Sequence, residues 1–353
     1  MKPCGSFGSN ALHALFLWSL ALPCADAIAS PPALELLTTI PMPNVKGRID
    51  HFAADAARHR LFVAALGNDT VEVIDTEHDG RRTISGLGEP QGVLYAPDEN
   101  RLVIANGSAG RVDFVDGTSL RTVAQVTGLD DADNVRWLPA SHTVIVGYGK
   151  GALRMLDVTG RSRGDIPLPG HPESFQVDPD NRRIYVNVPS AHAVLVVDLE
   201  ARRAVARWPT PQASGNFPMA LDLQGRRLFV GARSPAVLLV YDLEGGNVVA
   251  RLPIGGDTED VYFDVQRKRV YVICGAGRVD VIRQDSPDKY VLEQSVETSP
   301  RARTGVFVPE EGRLYVAVPE SAKSRARLLA TASIERGPAG ALKSLCCRTA
   351  IGV

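Results

Sequence analysis

Carboxylates and histidines recur at related places along this chain of 353 residues. Asp50, His51, Asp133, Glu173 and Asp260 each lie just before a short run of β-forming residues. Carboxylates that are held close together raise one another's pKa or bind a cation. Oxygen ligands alone suit Ca²⁺ or Mg²⁺, whereas an added imidazole suits a transition metal. Either chemistry requires a fold that gathers side chains lying far apart in the sequence.

Short motifs that mark several common cofactor sites are absent from the sequence. It contains neither the H-E-x-x-H of zinc proteases nor the C-x-x-C-H of covalent haem sites. Residues 147–151 are rich in glycine, but they have neither the spacing of a phosphate-binding P-loop nor a helical pattern after them. We therefore expect no cofactor, with a divalent metal ion as the alternative.

An internal repeat sets the positions of the acidic residues. Seven runs of three β-forming residues recur at steps of 41 to 44 residues. Each run is followed by a loop rich in Gly, Asn or Pro and by a second β-rich run. A period of this length, holding four short strands, is typical of one blade of a β-propeller. The seven runs begin at Leu61, Leu102, Thr143, Ile184, Leu228, Val270 and Leu314.

The repeat predicts an all-β fold, a seven-bladed β-propeller with four-stranded antiparallel blades. In each blade, the strands are named a to d from the central channel outward. Blade seven has clear strands a and b, a candidate strand c at residues 327–331, and no obvious strand d. Residues 35–41 are similar to strand d of other blades. We expect this N-terminal strand to complete the last blade and close the ring, which leaves no long exposed edge.

Residues 60–64 and 68–75 resemble the YVTN-repeat, YncE-like β-propeller family. The similarity extends over roughly residues 33–330. It implies an exported seven-bladed propeller but no particular activity, because the molecular roles of most members are unassigned. Blade six departs from the repeat. Arg283 stands where other blades have an aspartate, and a longer connection follows through Pro287.

The ends of the chain differ in composition from the repeat. Residues 1–27 form the pattern of a signal peptide, with Lys2, an apolar stretch and small residues before the expected cleavage site. The propeller is assigned to residues 33–336, and residues 337–353 are expected to be an irregular or disordered tail. This organisation predicts a periplasmic or secreted protein.

Charge and hydropathy argue against two classes of partner. The 39 basic and 40 acidic side chains give a formal charge of −1, which argues against binding of nucleic acid. No segment after the signal peptide has the length of a membrane span. We expect a monomer that binds a protein or a small-molecule ligand.

In a propeller, the loops from strand d to the next strand a, and from strand b to strand c, meet on one face around the channel. The repeat therefore predicts one polar, largely acidic rim at the channel mouth. Three interpretations remain open for it: a divalent metal ion, a cationic ligand or partner peptide, and solvated carboxylates in turns. The candidate ligand-binding residues are Asp50, His51, Glu89, Gln91, Asp131, Asp133, Asn134, Arg136, His171, Glu173, Asn216, Asp257, Glu259, Asp260 and Arg303.

Arg136 is the charged exception on strand a. It either pairs with Asp133 or another rim carboxylate, or it offers a guanidinium to an anion near the channel. Steps of about 41 residues align it with Ala54, Tyr95, Val177, Leu221, Phe263 and Phe307.

The two histidines, Cys274 and a recurring series of aspartates are interpreted separately. His51 and His171 lie in blades one and four, so a shared ion would require both side chains to reach the axis. Cys274 follows a buried run and is expected to be a core residue. A further series recurs once per blade and is expected to accept backbone hydrogen bonds in the turn after strand c; it comprises Asp75, Asp116, Asp157, Asp198 and Asp242.

Two functions remain after these exclusions. The favoured one is an exported binding or scaffold protein that uses the acidic rim and is not an enzyme. The alternative is a metal-assisted hydrolase of lactonase type, with a cation at the mouth and His51 or His171 as the general base. Bound metal would distinguish the two.

Overall fold

Seven four-stranded antiparallel sheets follow one another along the chain in a computed structural model, which describes residues 32–78, 80–180 and 182–334. Six of the sheets consist of four consecutive strands in the order a, b, c, d. The seventh combines three C-terminal strands with the first strand of the chain. The predicted all-β, seven-bladed β-propeller is confirmed.

The strands are numbered in chain order, and each blade is given from the channel outward. Blades one to three comprise β2 (Phe52–Asp55), β3 (Arg60–Ala65), β4 (Thr70–Asp75) and β5 (Arg81–Ile84); β6 (Pro90–Ala96), β7 (Arg101–Asn106), β8 (Arg111–Asp116) and β9 (Thr122–Thr127); β10 (Val135–Leu138), β11 (Thr143–Tyr148), β12 (Ala152–Asp157) and β13 (Ser162–Pro167). Blades four and five comprise β14 (Phe175–Asp178), β15 (Arg183–Val188), β16 (Ala193–Asp198) and β17 (Arg203–Pro209); β18 (Ser214–Asp222), β19 (Arg227–Ser234), β20 (Ala236–Asp242) and β21 (Val248–Pro253). Blades six and seven comprise β22 (Thr258–Asp264), β23 (Arg269–Cys274), β24 (Arg278–Ser286) and β25 (Lys289–Glu297); β26 (Gly305–Val308), β27 (Arg313–Val318), β28 (Arg327–Ser333) and β1 (Leu34–Pro41).

Short connections between strands include single turns of 3-10 helix. Three of them begin with proline, whose fixed φ suits the first position of a helix. In the described part of the chain, no helix has the length and apolar character needed to cross a membrane. The turns are Ala56–Arg58, Leu66–Asn68, Pro97–Glu99, Pro139–Ser141 and Pro189–Ala191.

The N-terminal strand closes the ring, as the sequence predicts. β1 pairs antiparallel with β28, from Leu34 opposite Ser333 to Pro41 opposite Arg327. The backbone amide of Leu34 also donates to Gln294 Oε1 of blade six, at 2.9 Å. The predicted signal peptide and the tail at residues 337–353 lie outside the described residues.

Apolar side chains from neighbouring blades pack into clusters between the sheets. Phe62 of blade one and Tyr95 of blade two, for example, stack with their ring centroids 5.4 Å apart. The cluster that includes Val63, Val308 and Leu328 joins blade seven to blade one. A blade therefore buries both faces of its sheet only by having a neighbour on each side, and the closed ring supplies both neighbours.

Aspartates at the ends of the c strands order the turns to strand d. Asp198 Oδ1, for example, accepts hydrogen bonds from the backbone amides of Glu200 and Ala201, at 2.9 and 2.8 Å. These bonds hold the pKa of Asp198 below its usual value. The same acceptor role is confirmed at Asp75, Asp116, Asp157 and Asp242.

Blade six replaces this turn with a longer hairpin. β24 and β25 each extend over nine residues and are joined through Pro287 and Asp288. Arg283, which stands in place of the aspartate, donates to Asp285 Oδ1 at 2.6 Å. Without a turn aspartate to end the pairing, the two strands continue to the proline.

Candidate functional site

The strand register decides which residues of strand a line the channel. In every blade, one strand a residue pairs with the third residue of strand b. Most members of this set line a cavity at the axis. The set is Ala53, Leu94, Arg136, Gln176, Ala220, Tyr262 and Val306.

The predicted alignment of Arg136 with Ala54, Tyr95 and their counterparts is therefore wrong by one residue. Thr143 opens β11 42 residues after Arg101 opens β7, and Arg183 opens β15 only 40 residues later. A uniform step of 41 residues therefore places the start of β11, and the residues of blade three aligned with it, one position too early. Side chains alternate along a strand, so an error of one residue assigns the opposite face.

A cavity of about 380 Å³ occupies the channel. Its volume falls within the range of pockets that hold small molecules. Apolar residues form part of the wall, and a few polar groups converge from different blades. The polar lining residues are His51, Asn134, Arg136, Gln176, Asp260 and Tyr262.

Arg136 projects into this cavity without an acidic partner among the described residues. Its guanidinium donates to the Val135 carbonyl at 2.8 Å and to Ser174 Oγ at 3.2 Å, and it lies 5.3 Å from the Phe175 ring centroid. Burial lowers the pKa of the guanidinium from its usual value. Among the described residues no carboxylate forms an ion pair with Arg136, although the charges of Asp260 and Asp133 attract its guanidinium.

His51 and Asp260 form an ion pair between blades one and six. His51 Nδ1 lies 3.2 Å from Asp260 Oδ1, and the two side chains are 17% and 11% exposed. Burial alone lowers the pKa of the ring, but the charge of Asp260, with those of Asp50 and Asp133, outweighs it and raises the pKa of His51 to about 10. At neutral pH the imidazole is therefore protonated and cannot act as a general base.

One rim position recurs in every blade, three residues before the channel-lining position of strand a. We call these residues the rim ring. The backbone amides of Asp50, Asp133 and Glu173 donate to strand b of the same blade, at the carbonyl oxygens of Ala64, Gly147 and Asn187. The rim ring comprises Asp50, Gln91, Asp133, Glu173, Phe217, Glu259 and Arg303.

Arginines neutralise the carboxylates at blade six. Glu259 forms ion pairs with Arg233 and with Arg48. Arg303 lies 3.1 Å from Asp257, which is also 3.5 Å from Arg233. The acidic character predicted for this part of the rim is therefore cancelled by guanidinium groups.

Among the described residues, Asp133 of blade three and Glu173 of blade four form no ion pair with an arginine, although the charges of His51 and His171 attract both. Asp133 is 8% exposed, and its Oδ1 accepts no hydrogen bond from the described residues. One ligand atom each of Asp133, His171 and Glu173 lies within 4.8 Å of the other two. Burial raises the pKa of both carboxyls, and the charge of Asp133 further raises that of Glu173, to about 7.

Asp50 of blade one is fully buried and contacts Arg48 at 2.9 Å. This ion pair lacks hydrogen-bond geometry, since neither oxygen of Asp50 accepts a hydrogen bond from the described residues.

Glycine at position 92 of β6 allows the neighbouring Asp133 loop to approach, because a Cβ there would lie 2.1 Å from the Asp133 carbonyl oxygen. Close packing of β6 against the loop before β10 thus fixes the position of the Asp133 backbone at the channel mouth.

Several predicted rim residues have structural roles. Glu89, Asp131 and Asp257 lie two residues before the rim ring with left-handed backbone conformations, at φ 48°, 52° and 56°. Aspartate tolerates that conformation better than most residues. Asn216 is fully buried and donates to Asn187 Oδ1 at 3.0 Å. The fold therefore does not gather all the predicted residues into one site.

The two histidines of interest also take separate partners. His171 Nδ1 lies 2.7 Å from the Gly149 carbonyl oxygen and 3.4 Å from Asp131 Oδ2. His51 pairs instead with Asp260. Within the described ranges, the group with metal-ligand spacing contains His171 and not His51.

Three participants were missed from the sequence. Arg48 lies in the loop before β2, and only its ion pairs reveal its role. Gln176 and Tyr262 occupy the same register position as Arg136. Aligning the repeats on the start of strand b, where six of the seven strands begin with arginine, identifies both.

Two reactive-looking features lie outside this site. Residues 160–164 match the G-x-S-x-G pattern, but they connect β12 to β13 rather than forming the strand-to-helix elbow of hydrolases. Cys274 is buried at the end of β23, and burial raises the pKa of its thiol to about 12. This agrees with a core residue rather than a nucleophile.

No protein-family model and no curated protein matches the chain. Among solved structures, it is similar to hydrazine synthase of Kuenenia stuttgartiensis, with a TM-score of 0.71 and 16% identity over 82% of this chain and 98% of that chain. It is also similar to a chain in a crystal structure of the mitotic checkpoint complex, with a TM-score of 0.73 and 13% identity over 91% of this chain and 98% of that chain. These similarities show the fold alone. The resemblance to the YVTN-repeat family stays a prediction.

Proposed function

We propose that this propeller is an exported binding module that holds a small anionic molecule in its channel cavity. The observation that carries the proposal is Arg136, a guanidinium at a 380 Å³ cavity with no acidic partner among the described residues. A half-buried guanidinium that forms no ion pair is only partly compensated, and such groups often bind a ligand. Gln176 and Tyr262 add polar contacts around the same cavity, where protonated His51 is paired with Asp260.

Binding can be tested with thermal-shift and calorimetric titrations of inorganic phosphate, sulfate and a panel of small mono- and dicarboxylates. We expect at least one anion to stabilise the protein and Arg136→Gln to weaken its binding by about tenfold or more, the loss of one charge-assisted hydrogen bond. The exposed Arg121 supplies the control, since Arg121→Gln should bind as the parent does. An anion that binds equally to Arg136→Gln would contradict the proposal.

Export rests on the signal-peptide pattern of residues 1–27. Expression of the full chain in a Gram-negative host should place a shortened protein in the periplasmic fraction. Deletion of residues 2–27 should leave the protein in the cytoplasm. Confinement of the unprocessed full chain to the cytoplasm would refute export.

A metal-assisted hydrolase is the second candidate, favoured by the spacing of Asp133, His171 and Glu173. Neither histidine is well suited to act as the general base of such a hydrolase. His51 is protonated at neutral pH, and His171 is the group with metal-ligand spacing. Turnover of simple lactones in the presence of Mn²⁺ or Zn²⁺, lost in Glu173→Gln, would favour the hydrolase over the binding module.

A further inference from the structure

Asp133, His171 and Glu173 come from the d–a loops of two neighbouring blades. Asp133 precedes β10 of blade three, while His171 and Glu173 precede β14 of blade four. Adjacent blades bring these loops side by side at the mouth. One ligand atom of each side chain lies within 4.8 Å of the other two, so the three groups surround a common point.

The Asp133 carboxylate is the independent sign of a missing partner. It is more than nine-tenths buried, yet Oδ1 accepts no hydrogen bond from the described residues. Buried carboxylate oxygens normally have a donor or a cation beside them. Arginine provides that cation for Glu259 at the equivalent position of blade six, but no described arginine pairs with Asp133.

The hydrogen bond of His171 determines which of its nitrogens can bind a metal ion. A carbonyl oxygen can only accept, so the 2.7 Å contact with Gly149 places the proton on Nδ1. Asp131 Oδ2, 3.4 Å from the same nitrogen, adds a carboxylate behind the ring. The lone pair is left on Nε2, and this outer arrangement is the one that usually fixes the tautomer of a ligating imidazole.

We propose that Asp133, Glu173 and His171 Nε2 bind a divalent transition-metal ion at the channel mouth. Two carboxylates and one imidazole suit Mn²⁺, Fe²⁺, Co²⁺ or Zn²⁺ better than Ca²⁺, which takes six to eight oxygen ligands. Ligands about 2.1 Å from one ion lie closer together than 4.8 Å, so binding draws the side chains inward. The ion offsets the repulsion between the carboxylates.

Titration with Co²⁺ as the probe tests the site, because its visible spectrum reports coordination directly. We expect one Co²⁺ per chain after dialysis and an increase in melting temperature. Glu173→Gln, Asp133→Asn and His171→Gln should each weaken binding by about 100-fold. Asp131→Asn should weaken it by about tenfold, as loss of an outer partner does.

Two matched controls distinguish a defined metal site from a diffuse acidic surface and from the anion site. Glu259→Gln changes the equivalent carboxylate of blade six and should leave Co²⁺ binding unchanged. Loss of Co²⁺ binding in this variant would indicate a diffuse acidic surface. Arg136→Gln should lose the anion and keep Co²⁺, so the failure of one proposal is distinguishable from that of the other. Absence of stoichiometric Co²⁺ binding, or equal binding by Glu173→Gln, would overturn the metal site.

Discussion

Two parts of the rim carry a carboxylate at the same position and differ in their surroundings. Glu259 of blade six and Asp133 of blade three both lie three residues before the channel-lining position of strand a. Glu259 forms ion pairs with Arg48 and Arg233, whereas Asp133 lies near His171 and another carboxylate, Glu173. The first arrangement is internally neutralised, and the second is left with excess negative charge.

The difference shows that residue type does not decide the role of a carboxylate. A paired carboxylate is satisfied by the fold and has little capacity to bind anything else. A buried carboxylate with an unpartnered oxygen destabilises the folded state unless a ligand or proton joins it. Function is therefore expected where the fold leaves electrostatics unbalanced, which is at blades three and four and at Arg136.

The largest effect on stability is expected from removing an arginine at blade six, where the rim carboxylates form ion pairs. Arg233→Met leaves Glu259, whose side chain is 10% exposed, without its closest cation and removes a guanidinium stacked 4.0 Å from the Phe217 ring centroid. We expect the free energy of unfolding to fall by about 3 kcal/mol in urea denaturation. The double variant Arg233→Met/Glu259→Gln should recover part of the loss. Additive losses would show that the two residues do not interact.

An intermediate effect is expected from the His51–Asp260 pair between blades one and six. The folded-state pKa of His51 lies near 10, above the value of about 6.5 in an unfolded chain. The pair therefore stabilises the protein fully below pH 6.5, and the contribution is lost as the pH rises to 10. Asp50 and Asp133 add to the attraction.

His51→Asn should consequently lower the free energy of unfolding by about 2 kcal/mol at pH 6 and have little effect at pH 10. Melting curves of both proteins across this range measure the difference. His192→Asn, which changes an exposed histidine, should show no such pH-dependent gap. A gap that stays constant from pH 6 to pH 10 would contradict the ion pair.

The smallest effect is expected at blade three, and its sign is reversed. Asp133→Asn removes a carboxylate whose burial outweighs its attraction to protonated His51, so it should stabilise the metal-free protein by about 1 kcal/mol. Glu259→Gln should instead destabilise it, because Arg48 and Arg233 lose their shared acceptor. Melting temperatures in EDTA measure both. Destabilisation by Asp133→Asn would remove the contrast between the two sides.

The sequence sufficed for the fold because the repeat encodes it locally. Each blade carries its own turns and β-forming runs, and the turn aspartates are explained by bonds within a few residues. The closing strand was predictable for the same reason, since residues 35–41 have the composition of strand d.

The candidate site could be predicted only in part. Repeat counting located the rim, but it misaligned Arg136 by one residue and thereby missed Gln176 and Tyr262. It also could not separate Glu89 and Asp131, which turn the backbone, from Asp133 and Glu173, which face a neighbouring loop.

The amino-acid sequence alone determined the number of blades, the closing strand and the face on which the d–a loops meet, because these depend on short-range periodicity. Tertiary structure alone decided which carboxylates are paired. Arg48 and Glu259 are separated by 211 residues and meet only because the ring closes. Charge compensation depends on distances across the mouth, and a linear chain does not contain that information in any local pattern.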